Sequence, residues 1–224
     1  TRRVESEMAA AAKRSGGSVA FGTIMSPAAD YIAPALKRVF QIDPSLNVSI
    51  VMGSSDVLLE DVVNRRLDFA ICRIPGGMNP MKFDYVPLGK ETLHLVAAMG
   101  HPLASRSAVT EDDLTRQDWV LQPQGSFLRQ IVDDFIRKRA IVPANVISTA
   151  STLLTILLVM QSSRVGILAK PVAELLEAHG LLRSLPIAAD ITIPDFGIIT
   201  LRDRALSEAA RMVFDAIQER HERA

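Results

Sequence analysis

The stretch N-V-S-I-V-M-G-S-S-D-V-L-L-E-D-V-V-N-R-R-L-D-F-A-I, Asn47 to Ile71, holds the pattern on which the rest of the chain is built. Asn47 to Met52 is an apolar run of strand length. Asp56 to Leu67 sets Val57, Leu59, Val62 and Val63 on a helix, and Asp68 to Arg73 (D-F-A-I-C-R) is a second strand. Strand, helix and strand joined by short links make a βαβ unit, with parallel strands and a right-handed crossover. Upstream, Ser18 to Thr23 predicts another buried strand. Pro27 to Gln41 predicts a helix carrying Ile32, Leu36, Val39 and Phe40 on one stripe.

Downstream the rhythm is interrupted and then resumes. Asp84 to Pro87 and Thr92 to Ala98 read as two strands, followed by the His101-Pro102 break, a helical turn at Thr110 to Leu114 and a strand at Trp119 to Leu121. Phe127 to Arg139 is amphipathic through Leu128, Ile131, Val132, Phe135 and Ile136. Strands then follow at Val146 to Thr149, Val165 to Leu168 and Leu181 to Leu185, with helices at Thr152 to Gln161 and Pro171 to Ala178 between them. A strand at Phe196 to Leu201 and a helix at Ala205 to Arg220 close the chain. The fold class is therefore α/β. Two units are expected, with joints near Ala98 to Gly100 and Pro194 to Gly197; if the closing strand and helix pair back with the first unit, they are residues 18–98 with 197–224 and residues 99–196, and the chain crosses twice. Residues 1–17, with Val4, Met8 and Ala11 or Ala12 at helical spacing, are expected to be the end of a longer helix.

Composition narrows the function classes. The 224 residues carry 25 Lys+Arg against 25 Asp+Glu, and a net charge of zero argues against a free-standing nucleic-acid binder. Leu153 to Met160 falls far short of the roughly 20 residues of a membrane span, so no membrane partner is expected. The lone Cys72 rules out an intramolecular disulfide or a thiolate zinc cluster and favours a reducing cytoplasm. The N-terminal apolar stretch, Met8 to Ala12, is shorter than the roughly 7–15 residues of a secretory core.

Signatures of catalysis are missing. There is no G-x-S-x-G elbow, S-x-x-K, P-loop or G-x-G-x-x-G. His94, His101, His179 and His221 form no H-x-x-x-H pair, so no metal, cofactor or catalytic residue is assigned. What recurs is a hydroxyl where a strand gives way to a helix. Ser26 precedes Pro27, Ser54 and Ser55 follow the second strand, Ser126 follows Gly125, and Ser151 with Thr152 opens the next helix. Such residues cap helices, and they also stand at the carboxyl ends of strands, where open α/β sheets bind ligands. There the helix amides and dipole favour an anion or a polar oxygen. Arg73, closing its strand, could pair with a carboxylate or form an ordinary salt bridge.

G-T-I-M-S-P (Gly22 to Pro27), Asn47 to Ile71, P-L-G-K-E-T-L-H-L-V-A-A-M-G-H-P-L-A (Pro87 to Ala104), R-V-G-I-L (Arg164 to Leu168) and L-R-D-R-A-L-S-E-A-A-R (Leu201 to Arg211) together resemble the effector-binding domain of LysR-type transcriptional regulators. I-M-S-P, G-S-S-D-V-L-L and Q-P-Q-G-S-F-L-R are similar to a subgroup that includes regulators of galactose uptake and protocatechuate catabolism. The resemblance implies two Rossmann-like subdomains of the type-2 periplasmic-binding-protein kind, joined by two crossover strands, with a small polar or anionic effector between them. It implies effector contacts at Ser26, Ser54, Gly125, Ser126, Phe127 and Thr152, to which the strand-end pattern adds Ser55 and Arg73, and it implies a winged helix-turn-helix beyond the N-terminus and a cytoplasmic homodimer or tetramer.

Helix Thr152 to Gln161 is apolar on nearly every face and must be covered on nearly every face. The resemblance pairs it with the Pro27 to Gln41 helix of a second copy, with Leu36 and Val159 expected at that contact. A periplasmic-type solute-binding protein of the same fold is the alternative reading, and an enzyme on this scaffold a third.

Overall fold

The computed structural model describes residues 17–76, 78–188 and 191–222. The helix expected over residues 1–17 lies almost wholly outside them. The chain forms two compact units, one of residues up to Gly89 together with those from Asp195, the other Lys90–Pro194.

In the first unit β1 (Ser18–Thr23) lies between β2 (Asn47–Met52) and β3 (Phe69–Cys72), parallel to both, and β9 (Ile191–Leu201) joins β3 antiparallel. The helices are α1 (Ala33–Ile42), preceded by a π-turn at Ala28–Ile32, then α2 (Ser55–Val63) and α7 (Glu208–Glu222). Phe21 and Phe69 stack at 5.0 Å, and Phe214 of α7 meets Phe69 edge-on at 6.0 Å. Gly22 lets α2 close on the sheet, since a Cβ there would stand 2.7 Å from Leu58 Cδ2 and 2.8 Å from Leu67 Cδ1. The expected Asp56 to Leu67 helix stops at Val63. Its end is a Schellman turn, with Arg65 at φ +60° and the Arg66 N–H donating to Asp61 O at 2.8 Å.

In the second unit β7 (Val165–Ala169) runs parallel to β5 (Asp118–Leu121) and antiparallel to β4 (Phe83–Ala98). Beyond β5 lies β6 (Asn145–Ser148), parallel to it, and β8 (Leu182–Ser184) flanks β4. The helices are α3 (Glu111–Leu114), α4 (Phe127–Lys138), α5 (Thr152–Met160) and α6 (Lys170–Ala178). The side-chain period of two divides the core. Leu93, Leu95, Trp119, Leu121 and Ile167 pack on one face with Val132 of α4. Val96, Val120 and Leu168 pack on the other with Val159 and Ala173.

Three expectations change. The two short strands before His101 are one 16-residue strand, β4. The strand runs on through Pro87 and Gly89, the latter at φ +139°, a conformation glycine adopts without a Cβ clash. The passage into the second unit therefore falls inside β4 rather than after Ala98. Val159, expected at a subunit contact, is fully buried in its own unit, because Gly166 of β7 brings α5 so close that an added Cβ would lie 2.6 Å from Val159 Cγ2. Leu36 is half-buried against the first unit's core.

Candidate functional site

Parallel strands end on one edge of their sheet, so the order β2-β1-β3 gathers the turns at their carboxyl ends. In the first unit Ser26, Ser54, Ser55 and Arg73 come to that edge. In the second, the residues after β5 and β6 (Gly125, Ser126, Phe127 and Thr152) come to the carboxyl edge of that unit's sheet.

Ser26 is not the cap its sequence suggests. Pro27 holds the N-cap position, the first turn is a π-turn, and Ser26 lies buried one residue outside. The wide turn shifts the helix start by one residue, which the Ser-Pro pair does not reveal. Ser54 does occupy the N-cap of α2, with extended φ −74° and ψ 154°, but its hydroxyl bonds the Asp56 side chain. That bond is the leading reason the Asp56 carboxyl lies below its ordinary range, against a smaller opposing effect of desolvation. Ser55 Oγ accepts the Arg73 N–H at 3.2 Å, which ties the second strand-to-helix junction to the end of β3.

Arg73 is half-buried. Burial brings its guanidinium down to about 10, opposed by the fields of Cys72, Tyr85 and Asp195, and it lies 6.0 Å from the centre of the Phe196 ring. Arg73 thus already has a carboxylate and an aromatic face as neighbours within its own unit. Burial pushes the Cys72 thiol up to about 12, only partly offset by Arg73 and Ser55, so it stays protonated and packs as a core residue.

In the second unit the turn Q-P-Q-G-S-F leads from β5 into α4. Gly125 takes φ +82°, and the Ser126 N–H reaches Pro123 O at 3.2 Å. Ser126 Oγ accepts the Arg129 N–H at 3.3 Å, a true N-cap, and Phe127 is 49% exposed. Ser151 caps α5 in the same way, accepting the Leu154 N–H at 3.2 Å, while Thr152 opens the helix half-buried.

Arg129 is the residue that inspection of the sequence misses. It is buried, and its guanidinium reaches Asp133 Oδ1 (2.7 Å), Gln122 O (3.0 Å) and Ser148 Oγ (3.5 Å), joining the ends of β5 and β6 to the first turn of α4. A signal exists: Arg129 precedes Val132 by three residues and Ile136 by seven, which places it on the apolar face of the helix. Among the described residues no group of three or more His, Cys, Asp or Glu side chains could hold a metal, and no helix is long and apolar enough to cross a membrane.

Two α/β units whose parallel strands end in polar, helix-capping turns are the build of a ligand-binding protein of the open-sheet kind. The family model for the LysR substrate binding domain matches residues 12–222, and the chain belongs to that family. It is 33% identical over 204 residues to the HTH-type transcriptional regulator GbpR of Azospirillum brasilense, covering 90% of this chain and 60% of that protein. It is 37% identical over 161 residues to GbpR of Rhizobium radiobacter, covering 71% and 53%. The chain thus matches only 53–60% of the length of these relatives. Among solved structures it is similar to the effector binding domain of QuiR in complex with shikimate, with TM-score 0.70, 20% identity, and 93% of this chain and 99% of that one covered.

Proposed function

We propose that the chain is the ligand-sensing part of a DNA-binding transcriptional regulator, with no catalytic activity of its own. Its ligand is a small polar or anionic organic molecule. The observation that carries this reading is the gathering of hydroxyl-bearing turns and helix N-termini at the carboxyl edge of each unit's parallel strands, where partial positive charge favours polar oxygens. The regulator names of its relatives favour this over a periplasmic solute-binding protein, the alternative with the same fold.

In this reading DNA is contacted by a winged helix-turn-helix elsewhere in the longer protein, which works in the cytoplasm. Effector binding acts by favouring one of two arrangements of the assembly through its differential affinity for them. The assembly is a homodimer or tetramer. Leu153, Leu154 and Leu157 project exposed from α5 of the second unit, and Phe40 and Ile42 from the end of α1 of the first, each an apolar surface suited to a second copy.

A thermal-shift screen of sugars, hydroxy acids and carboxylates tests the proposal, because a ligand that binds only the folded state raises the melting temperature by mass action. Stabilisation by polar compounds is expected, and a response confined to apolar molecules would sink the reading. A reading frame upstream of Thr1 without a helix-turn-helix would sink the regulator assignment.

A further inference from the structure

A groove of about 470 Å³ runs within the second unit, lined by the later turns of α4 and the first residues of β9. Its apolar lining is Ile131 and Phe135, one turn apart on α4 and both half-buried, together with the buried Ile191. Thr192, Asp134, Lys138 and Arg139 supply the polar part. The volume lies within the roughly 300–1,000 Å³ of small-molecule sites. This groove is separate from the turn that carries Ser126. An α-helix rises about 1.5 Å per residue, so Phe135 stands about 13 Å along α4 from that cap.

The charges around the groove do not balance. Arg139 is neutralised by Glu111, with Nη1 2.6 Å from Oε1, and its guanidinium carbon lies 5.0 Å from the centre of the Phe135 ring. Asp134 is ion-paired with Arg137. Lys138 is exposed and has neither ion pair nor hydrogen bond among the described residues. One uncompensated ammonium therefore stands beside an apolar lining. An inorganic anion would answer the charge but leave Ile131 and Phe135 in water. An α-amino acid would bring a second ammonium towards Lys138, and a neutral apolar molecule would leave the charge unanswered. We propose that the groove is a second small-molecule site, taking a monocarboxylate with an aromatic or branched aliphatic body. The body packs on Ile131, Phe135 and Ile191, and the carboxylate accepts from the Lys138 ammonium. This site is independent of the ligand proposed at the strand ends.

Methyl NMR of the whole chain, with phenylacetate and 4-methylpentanoate as probes, tests it. The Ile131 and Ile191 methyls report on the groove, and the Ile147 methyl of β6 on the strand ends. Saturable shifts at Ile131 and Ile191 are expected, with a Kd of about 1 mM for ligands this small. Acetate, which lacks the body, and phenylacetamide, which lacks the charge, should bind more weakly. Lys138→Gln changes an exposed residue and should leave the fold intact. It should weaken phenylacetate about twofold to fivefold, as for an exposed ion pair, and leave phenylacetamide unchanged. No saturation at Ile131 and Ile191 by about 20 mM, or shifts at Ile147 alone, would overturn the proposal. Equal binding of phenylacetate and phenylacetamide, or an equal effect of Lys138→Gln on both, would show that the ammonium only offsets the dipole at the end of α4, and would overturn it too.

Discussion

Arg129→Met tests whether the second unit's strand ends are held from below by a buried charge. Methionine keeps most of the aliphatic length, so the change removes the guanidinium and opens little cavity. The bond from Arg129 Nη1 to Gln122 O at 3.0 Å is charge-assisted and contributes about 1.5–3 kcal/mol, because its loss strands a carbonyl at the end of β5. The Asp133 ion pair adds less. The Arg129 side chain is 8% exposed but Asp133 is 40% exposed, so the abandoned carboxylate is rehydrated and about 0.5–1 kcal/mol is lost. The Ser148 contact, at 3.5 Å, adds little. The expected loss is about 2–4 kcal/mol, read in urea as a lower midpoint at unchanged slope. If the two units unfold separately, the loss belongs to the transition of residues 90–194. Asp133→Asn in parallel separates the contributions and should cost less than half as much. A loss under about 0.5 kcal/mol in Arg129→Met, or an equal loss in Asp133→Asn, would refute the reasoning.

Ser26→Ala and Ser54→Ala should each weaken effector binding about fivefold, the equivalent of one hydrogen bond of about 1 kcal/mol, with melting in the absence of ligand little changed for the exposed Ser54 and lowered for the buried Ser26; isothermal titration reads the binding and calorimetric scanning the melting. Leu153→Glu with Leu157→Glu should shift sedimentation from about twice the 24.4 kDa chain mass toward the monomer, and an unchanged dimer would remove the α5 surface from the contact. Ala140 sits at φ +54° in the Schellman turn that ends α4, so Ala140→Gly should stabilise by about 0.5–1 kcal/mol, and destabilisation in a urea titration would contradict the left-handed assignment. His101 Nδ1 accepts the Leu103 N–H at 3.1 Å, and burial lowers its pKa from the ordinary 6.5 despite the bond to Ser163 O. Because the unfolded chain then takes up the proton first, this stability is fully present above about pH 6.5 and lost as pH falls toward the folded-state value. The melting difference between wild type and His101→Asn should narrow on that side only.

Local periodicity carried most of the architecture. Ser18–Thr23 and Asn47–Met52 are strands to the residue, and the Thr110 turn is a capping box with Asp113. What the sequence concealed depends on contacts across long separations. Asp84 to Pro87 and Thr92 to Ala98 read as two strands, but β4 has β7 and β8 along its second half and runs on through Pro87 and Gly89. Arg65 and Ala140 end helices in the left-handed conformation where glycine is the usual marker, as it is at Gly180. Val159 looked like an interface residue because α5 is apolar all round. Only the approach of Gly166 distinguishes its buried side, with Thr155 and Val159, from the exposed Leu153 and Leu157. Arg129 could not be read as the tie between strand ends from one helix alone, since that role comes from β6 lying beside β5.

Capping and ligand binding look like rival explanations for the junction hydroxyls, but hydrogen-bond valence makes them compatible. Ser126 and Ser151 use an oxygen lone pair to accept a helix N–H, so each O–H remains a donor with no acceptor among the described residues. The carboxyl edge of the second unit therefore presents hydroxyl donors at Ser126 and Ser151. In the first unit Ser54 stands at the N-cap of α2 without a backbone cap bond, and its hydroxyl is the leading influence that lowers the Asp56 carboxyl. A carboxylate or an alcohol oxygen can accept from the Ser126 and Ser151 donors, so in the second unit capping and ligand binding draw on different valences of the same hydroxyl.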